Sequence, residues 1–417
     1  MTSFQLFAVF IVLVAGGSWA NARTAKLPRE VAMLLVGLAG AFVLWSLDRF
    51  EPGLAASAIA ISALHHLDFA DTVLGYMLGF LLFAGAMQVD LREMRRRLVS
   101  ISVLATAGVC ASILIVGLGI WAACRMLYLD LTLPWALVFG ALISPTDPIA
   151  VLATVKRGHL SKKLQTIMQG EALFNDGVGI VAFTSLLTLA AGGGLHTPAG
   201  LLATVFVEAA GGLLLGLGTG LIVLRAMRAI DDFAVEVTLS LALCMGVYAG
   251  AQALHLSGPI GVVGAGLLVG NQRERAVMSR TTQFYLKNFW TLIDEILNAT
   301  LFLLLGLETL VVPFRPQEIG LAAAAVGLVL FARACVVAPW GLYLRLKHGE
   351  RGAGTTLVWG GLHGALSLAL GLSIPQGPEK ALILSTTYAV VAFSIIVQGL
   401  TFGPLTTALQ RSAPVPQ

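Results

Sequence analysis

The chain has 417 residues, of which 57% are hydrophobic and only 12% charged, with a mean hydropathy of +0.88. A water-soluble domain carries about 25% charged residues, so this composition excludes a soluble enzyme, a nucleic-acid-binding protein and a disordered chain. It indicates an all-α polytopic membrane protein, and the net charge of +4 reads as loop charge that orients helices rather than as a nucleic-acid footprint.

The first apolar run, 3–20, ends in "SWANA", which resembles a processing site. No Lys or Arg precedes it, so a retained first span is expected. Stretches of mostly apolar residues then recur along the chain, giving about thirteen spans. They lie near 3–20, 30–47, 72–89, 98–124, 132–155, 165–192, 198–224, 234–254, 258–270, 285–313, 316–344, 353–374 and 381–405.

Charge tests this division. One side collects Arg23, Lys26, Arg29, Arg92, Arg95, Arg96, Arg97, Lys156, Arg157, Lys162, Lys163, Arg225 and Arg228. It also takes Arg273, Arg275, Arg280, Lys287, Arg345, Lys347, Arg351 and Arg411. The other side takes Arg49, Arg125, Arg315 and Lys380, while Arg333 falls within a span. That asymmetry places the N-terminus outside and the C-terminus in the cytoplasm. An odd number of spans is compatible with two inverted repeats of about six helices each.

Two spans carry helix-breaking residues. The fifth holds "ISPTDPIAV", in which Pro145 and Pro148 flank Thr146 and Asp147; the twelfth holds "WGGLHGALS", with Gly360, Gly361 and Gly364. Each Pro removes a backbone donor and opposes a regular helix. In inverted-repeat transporters, such broken helices cross where the substrate is held.

Ionisable groups inside spans are costly, and functional by default. Asp147 sits in span 5, and Glu171, Asn175 and Asp176 in span 6, within "GEALFNDGVGIV". Glu171 and Asn175 are four apart and share a helical face, with Asp176 turned further round. A carboxylate withdrawn from water can be protonated or hold a small cation, but not both at once. That competition couples the two movements in opposite directions. Thr146, Asn175, freed carbonyls and water supply further oxygen ligands. Asp176 is the first candidate for the ion-carrying group. Asp147 divides evenly between an ion ligand and support for the crossing. Glu171 reads as a structural partner of Arg333 and His363; Glu236, Asp294 and Glu295 read as structural or interfacial, and Asp90 as a span-end charge. His65, His66, His196, His255 and His348 read as loop or span-end residues. The four cysteines (Cys110, Cys124, Cys244, Cys335) read as small core residues, since none forms a C-x-x-C pair. Phosphate-loop and dinucleotide signatures are missing, so no cofactor is expected.

"ISPTDPIAV" followed by "GEALFNDGVGIV" resembles the cation:proton antiporter-1 family, the NhaP-type sodium/proton exchangers. "GFLLFAGAMQVDL", "SGPIGVVGAGLLVGN", "DEILNATLFLLLGLE", "WGGLHGALSLALGLS" and "FSIIVQGLT" match further, in the family's order across nearly the whole chain. The resemblance implies a scaffold and dimerisation domain at 1–97 and 198–313 (spans 1–3 and 7–10). It implies an ion-transporting core at 98–197 and 314–409 (spans 4–6 and 11–13), working in a homodimer by an elevator-like motion. It implies a bacterial inner-membrane location. Asp176 would bind cation and proton in turn, with Asn175 marking electroneutral exchange; Asp147 and Thr146 match the crossing. One departure stands out: the family's "GGLRGA" has Arg where this chain has His363, and that Arg pairs with the Glu matching Glu171. A histidine titrates near 6.5, so either His363 makes exchange sensitive to alkaline pH, or the core is weakened, or Arg333 compensates; the first is the expectation.

The expected function is Na⁺/H⁺ antiport, with Li⁺ as an alternative cargo and K⁺/H⁺ antiport as the runner-up. Two further readings are an intramembrane aspartyl protease using Asp147 and Asp176, and an exchanger-like protein that has lost transport. The protease's G-x-G-D signature is missing, and Asn175 and Asp176 are retained against the second. The expected partners are Na⁺, H⁺, membrane lipid and a second copy of the chain.

Overall fold

The structure, a computed structural model, describes all residues except 1–2, 52–56, 59, 63–71, 148–159, 193–197, 272–278, 311, 313–315, 349–351 and 412–417. Pro148, Lys156, Arg157, Arg273, Arg275, Arg315, Arg351, His65, His66 and His196 therefore lie outside the described residues.

Among the described residues the molecule is helical. In chain order the helices are α1 (Ser3–Arg23), α2 (Arg29–Phe50), α3 (Leu78–Gln88), the short α4 (Leu91–Arg95) and α5 (Leu98–Met126). Next come α6 (Leu133–Ile143), α7 (Lys162–Ala190), α8 (Pro198–Met227), α9 (Phe233–Ala253) and α10 (Gly258–Gly270). The remainder are α11 (Arg280–Leu307), α12 (Ile319–His348), α13 (Ala353–Trp359), α14 (Ala365–Leu372) and α15 (Pro378–Phe393). A π-turn at Ser394–Gln398 carries α15 on into a last helical stretch, Gly399–Arg411.

Every span expected from hydropathy contains one of these helices. Eight described segments are long and apolar enough to cross a membrane, and four shorter apolar helices accompany them. The two spans expected to break do so: α6 stops at Ile143, and α13 and α14 are separated at Gly360–Gly364.

The helix starts follow local chemistry. Asp90 caps α4, accepting from the N–H groups of Arg92 and Glu93, so it is the span-end charge expected of it. Asp232 caps α9 in the same way, and Ser257 caps α10 ahead of Pro259.

The chain forms two compact units. Unit 1 comprises Met1–Leu74, Ala111–Ser161 and Asn298–Gln417; unit 2 comprises Gly75–Cys110 and Lys162–Leu297. Inside a bilayer, apolar side chains gain nothing from leaving lipid, so close backbone approach and buried polar contacts must hold helices together. Unit 1 uses both. A Cβ on Gly140 of α6 would stand 2.6 Å from the Ile113 carbonyl of α5, and one on Gly37 of α2 would overlap the Leu303 carbonyl. The Ser385 hydroxyl donates to buried Glu318 at 2.6 Å, and Thr309 and Tyr388 share a hydrogen bond of 2.8 Å.

Unit 2 is built the same way. On α8, a Cβ at Gly212 would overlap the Ser257 carbonyl and one at Gly216 the Gly261 carbonyl of α10; Gly266 of α10 meets the Phe83 carbonyl of α3. Buried Glu236 accepts from the Thr282 hydroxyl at 3.3 Å, and the Trp290 indole donates to Ser240 at 2.9 Å, tying α9 to α11. These are structural contacts, as expected for Glu236. Asp294 accepts from the Gln88 amide at 3.4 Å.

The glycines on α8 allow a direct test. Gly216→Leu would force α8 off α10, because the obstacle is backbone that cannot rotate away. A loss of about 3 kcal/mol or more is expected, seen as a lower Tm of the detergent-solubilised protein. Gly218→Leu, with nothing within 4 Å of its Cβ position, should leave Tm unchanged.

The cysteines correct one expectation. Cys124 and Cys244 are buried, but Cys110 and Cys335 are exposed, and all four are free thiols. A membrane span is apolar on its outer face too, so an apolar sequence context does not mark a residue as core.

Candidate functional site

The breaks in spans 5 and 12 meet within unit 1. A broken helix frees backbone donors and acceptors, and in a membrane each must find a protein partner. The structure shows where six of them go. The Asp147 N–H donates to the Leu362 carbonyl at 2.7 Å, forming an isolated antiparallel bridge. His363 Nδ1 stands 3.1 Å from the Pro145 carbonyl. A carbonyl only accepts, so Nδ1 carries the proton. The His363 N–H donates to Ser394 Oγ at 2.9 Å, and that hydroxyl donates to Gln398 Oε1 at 2.8 Å. Gln398 Nε2 donates to the Trp359 carbonyl at 3.2 Å, and Arg333 Nε to the Leu357 carbonyl at 3.3 Å. Thus α12 and the π-turn after α15 supply groups that stabilise the crossing.

Glycine is required here by space. A Cβ at Gly364 would come 2.8 Å from Asp147 Oδ2 and 3.0 Å from Asp147 Cβ, and one at Gly361 would overlap Arg333 Nε. Gly364 is also the residue before α14. The Asp147 carboxylate therefore stands at the positive end of that helix, which favours negative charge there. Thr146 beside it is buried, and His363 is only 5% exposed.

The second group lies on α7, in unit 2. This helix is continuous through the motif. Glu171 and Asn175 are buried on its shared face, while Asp176 keeps partial exposure. Gly177, next to Asp176, lets Ile260 of α10 approach: a Cβ there would stand 2.5 Å from its side chain. Of the expected residues, Thr146, Asp147, Arg333 and His363 thus belong to unit 1, and Glu171, Asn175 and Asp176 to unit 2.

Two contributors escaped sequence reasoning, Ser394 and Gln398. They sit four apart on a π-turn, a feature that recurs at functional sites. Two polar side chains four apart in "FSIIVQG", within the last span, were the available signal.

The family model described as "Sodium/hydrogen exchanger, transmembrane" matches residues 9–408. The Na(+)/H(+) antiporter NhaP of Pseudomonas aeruginosa is 40% identical over 417 residues, covering 99% of this chain and 98% of that protein. The Na(+)/H(+) antiporter NhaH of Halobacillus aidingensis is 35% identical, covering 96% of this chain and 95% of that protein. The solved structure of the sodium proton antiporter MjNhaP1 from Methanocaldococcus jannaschii superposes with a TM-score of 0.73 at 20% identity, covering 98% of this chain and 99% of that one, and so shows the shared fold. With that fold, two broken helices crossing at Asp147 and Leu362, and a family match that runs nearly end to end, this multi-pass membrane protein belongs to the sodium/hydrogen exchanger family.

Proposed function

We propose that the protein is a secondary antiporter exchanging Na⁺ for H⁺, with the Asp176 carboxylate taking cation and proton alternately. The family membership, together with relatives named for Na⁺/H⁺ antiport, carries the exchange itself and favours Na⁺ over K⁺. The residue assignment is supported by position. Of the three polar groups on the central α7 motif, Asp176 is the one with partial exposure. A group that loads from water needs that access.

The coupling needs no other device. One carboxylate cannot hold a proton and a cation together, so each transit in one direction carries one and each return the other. With a single exchanging acid and neutral Asn175 beside it, the cycle moves one charge each way and is electroneutral. Asp147 and Thr146 serve at the crossing as further oxygen ligands or as its support, and Glu171, His363 and Arg333 hold the core together. In this reading 98–197 and 314–409 move as the transporting core against a scaffold at 1–97 and 198–313. The protein works as a homodimer in the bacterial inner membrane, N-terminus outside and C-terminus in the cytoplasm.

The test uses purified protein in liposomes with an imposed pH gradient. Na⁺ is expected to dissipate the gradient, with K⁺ much less effective. Clamping the membrane potential with K⁺ and valinomycin should not change the Na⁺-driven rate. No dissipation by either ion between pH 6 and 9, from folded protein, would overturn the antiport reading and leave a transport-inactive homologue. A rate that follows the imposed potential would overturn electroneutrality.

A further inference from the structure

Unit 2 contains a pocket of about 550 Å³ where the end of α3, the short α4, the end of α10 and the first turns of α11 come together. Its charge is one-sided. Arg92, Arg95, Arg96 and Lys287 line it, against one carboxylate, Asp90. That carboxylate is engaged, since it caps α4 through the N–H groups of Arg92 at 2.9 Å and Glu93 at 3.2 Å. The nearby Glu93 pairs with Arg96 at 3.6 Å and Arg97 at 3.5 Å. Among the described residues this leaves Arg95 and Lys287 without an acidic partner.

The cations stand on a fixed frame. Asn271, at the end of α10, accepts from the Leu91 N–H at 2.7 Å and donates to the Val89 carbonyl at 3.0 Å and the Leu267 carbonyl at 2.9 Å. One side chain thereby clamps the turn carrying Arg92, Arg95 and Arg96 to α10. Buried Trp290, with its ring 4.6 Å from that of Phe83, fixes the α11 wall from which Lys287 projects. Within three residues of these cations in the chain, Val99, Phe284 and Tyr285 are exposed. Basic groups next to exposed apolar and aromatic side chains mark the water–lipid boundary.

We propose that this pocket binds phosphate groups of an anionic ligand. Arginine forks match phosphate oxygens with paired hydrogen bonds, and lysine adds a point charge. Basic pockets between spans suit phospholipid headgroups. A free polyphosphate offers the same chemistry. With the orientation proposed above, the pocket opens at the cytoplasmic leaflet. The inference does not depend on which residue carries the transported ion.

The experiment is thermal unfolding of the full-length protein in detergent, with phosphatidylcholine as baseline and cardiolipin or inorganic pyrophosphate as probes. A ligand that binds the folded state raises Tm, and a rise of about 3 °C or more is expected with cardiolipin. The variant Arg95→Gln/Lys287→Gln should lose that rise. The charge-matched control Arg345→Gln/Lys347→Gln, at the end of α12 and outside the pocket, should keep it. A rise with cardiolipin alone assigns a lipid headgroup, and a rise with pyrophosphate as well assigns a site open to free phosphates. No rise with either probe, or equal loss in both double variants, overturns the proposal. If the first double variant folds poorly, Lys287→Gln alone provides the comparison, since this exposed side chain can be removed without touching the core.

Discussion

Asp176→Asn is expected to reduce Na⁺-driven proton movement in liposomes to the rate of protein-free vesicles. The two side chains have the same size and shape, and Asp176 is only partly buried on a continuous helix. Stability should therefore change by no more than about 0.5 kcal/mol, and Tm should hold. What the substitution removes is chemistry. An amide neither releases a proton nor presents a negative charge to a cation, so both halves of the exchange are lost together. Asp176→Glu, which keeps a titrating acid, should retain measurable exchange. Asn175→Asp adds a second acid beside the first, and the rate should then respond to membrane potential. Wild-type rates in Asp176→Asn would remove Asp176 from the mechanism and move attention to Asp147.

The second large effect lies at the crossing. His363→Leu deletes the donor to the Pro145 carbonyl, leaving a buried acceptor without that partner. An unsatisfied buried polar group costs about 1–3 kcal/mol. Because that cost falls on the segment that positions Asp147, exchange should drop by about tenfold or more. His363→Asn places an amide N–H close to the position of Nδ1 and should restore much of the rate. The hydrogen bond needs Nδ1–H, which the neutral ring already provides, so the pH profile of His363→Asn should match that of the wild type. The competing outcome is equally definite. If Asn fails while His363→Arg supports exchange and extends it to higher pH, then a positive charge is the requirement, and pairing with Glu171 is its reason. Exchange measured from pH 6 to 9 in the three variants separates the two.

The segments that became helices were legible from composition alone, because a bilayer demands apolar runs of a set length and charge collects in the loops between them. So were the two interruptions, since Pro145 and the glycines at 360, 361 and 364 oppose a regular helix locally, whatever surrounds them. The candidate acids were legible for a related reason: an ionisable group in an apolar run is too costly to be incidental.

Sequence could not say which partners complete the crossing. His363 bonds a carbonyl 218 positions away, and Ser394 and Gln398 reach the break from the last span. Those pairings depend on how α6, α13, α14 and α15 come together, and no local pattern encodes that. The exposure of Cys110 and Cys335 was hidden for the same reason. Hydropathy tells a span from a loop, but in a membrane both faces of a helix are apolar, so only tertiary packing decides which face is core. The basic pocket is a further case. Its cations were visible as loop charge, but the clamp by Asn271 that turns them into a site is a contact across 180 and 182 positions, made only when α3 and α10 lie side by side.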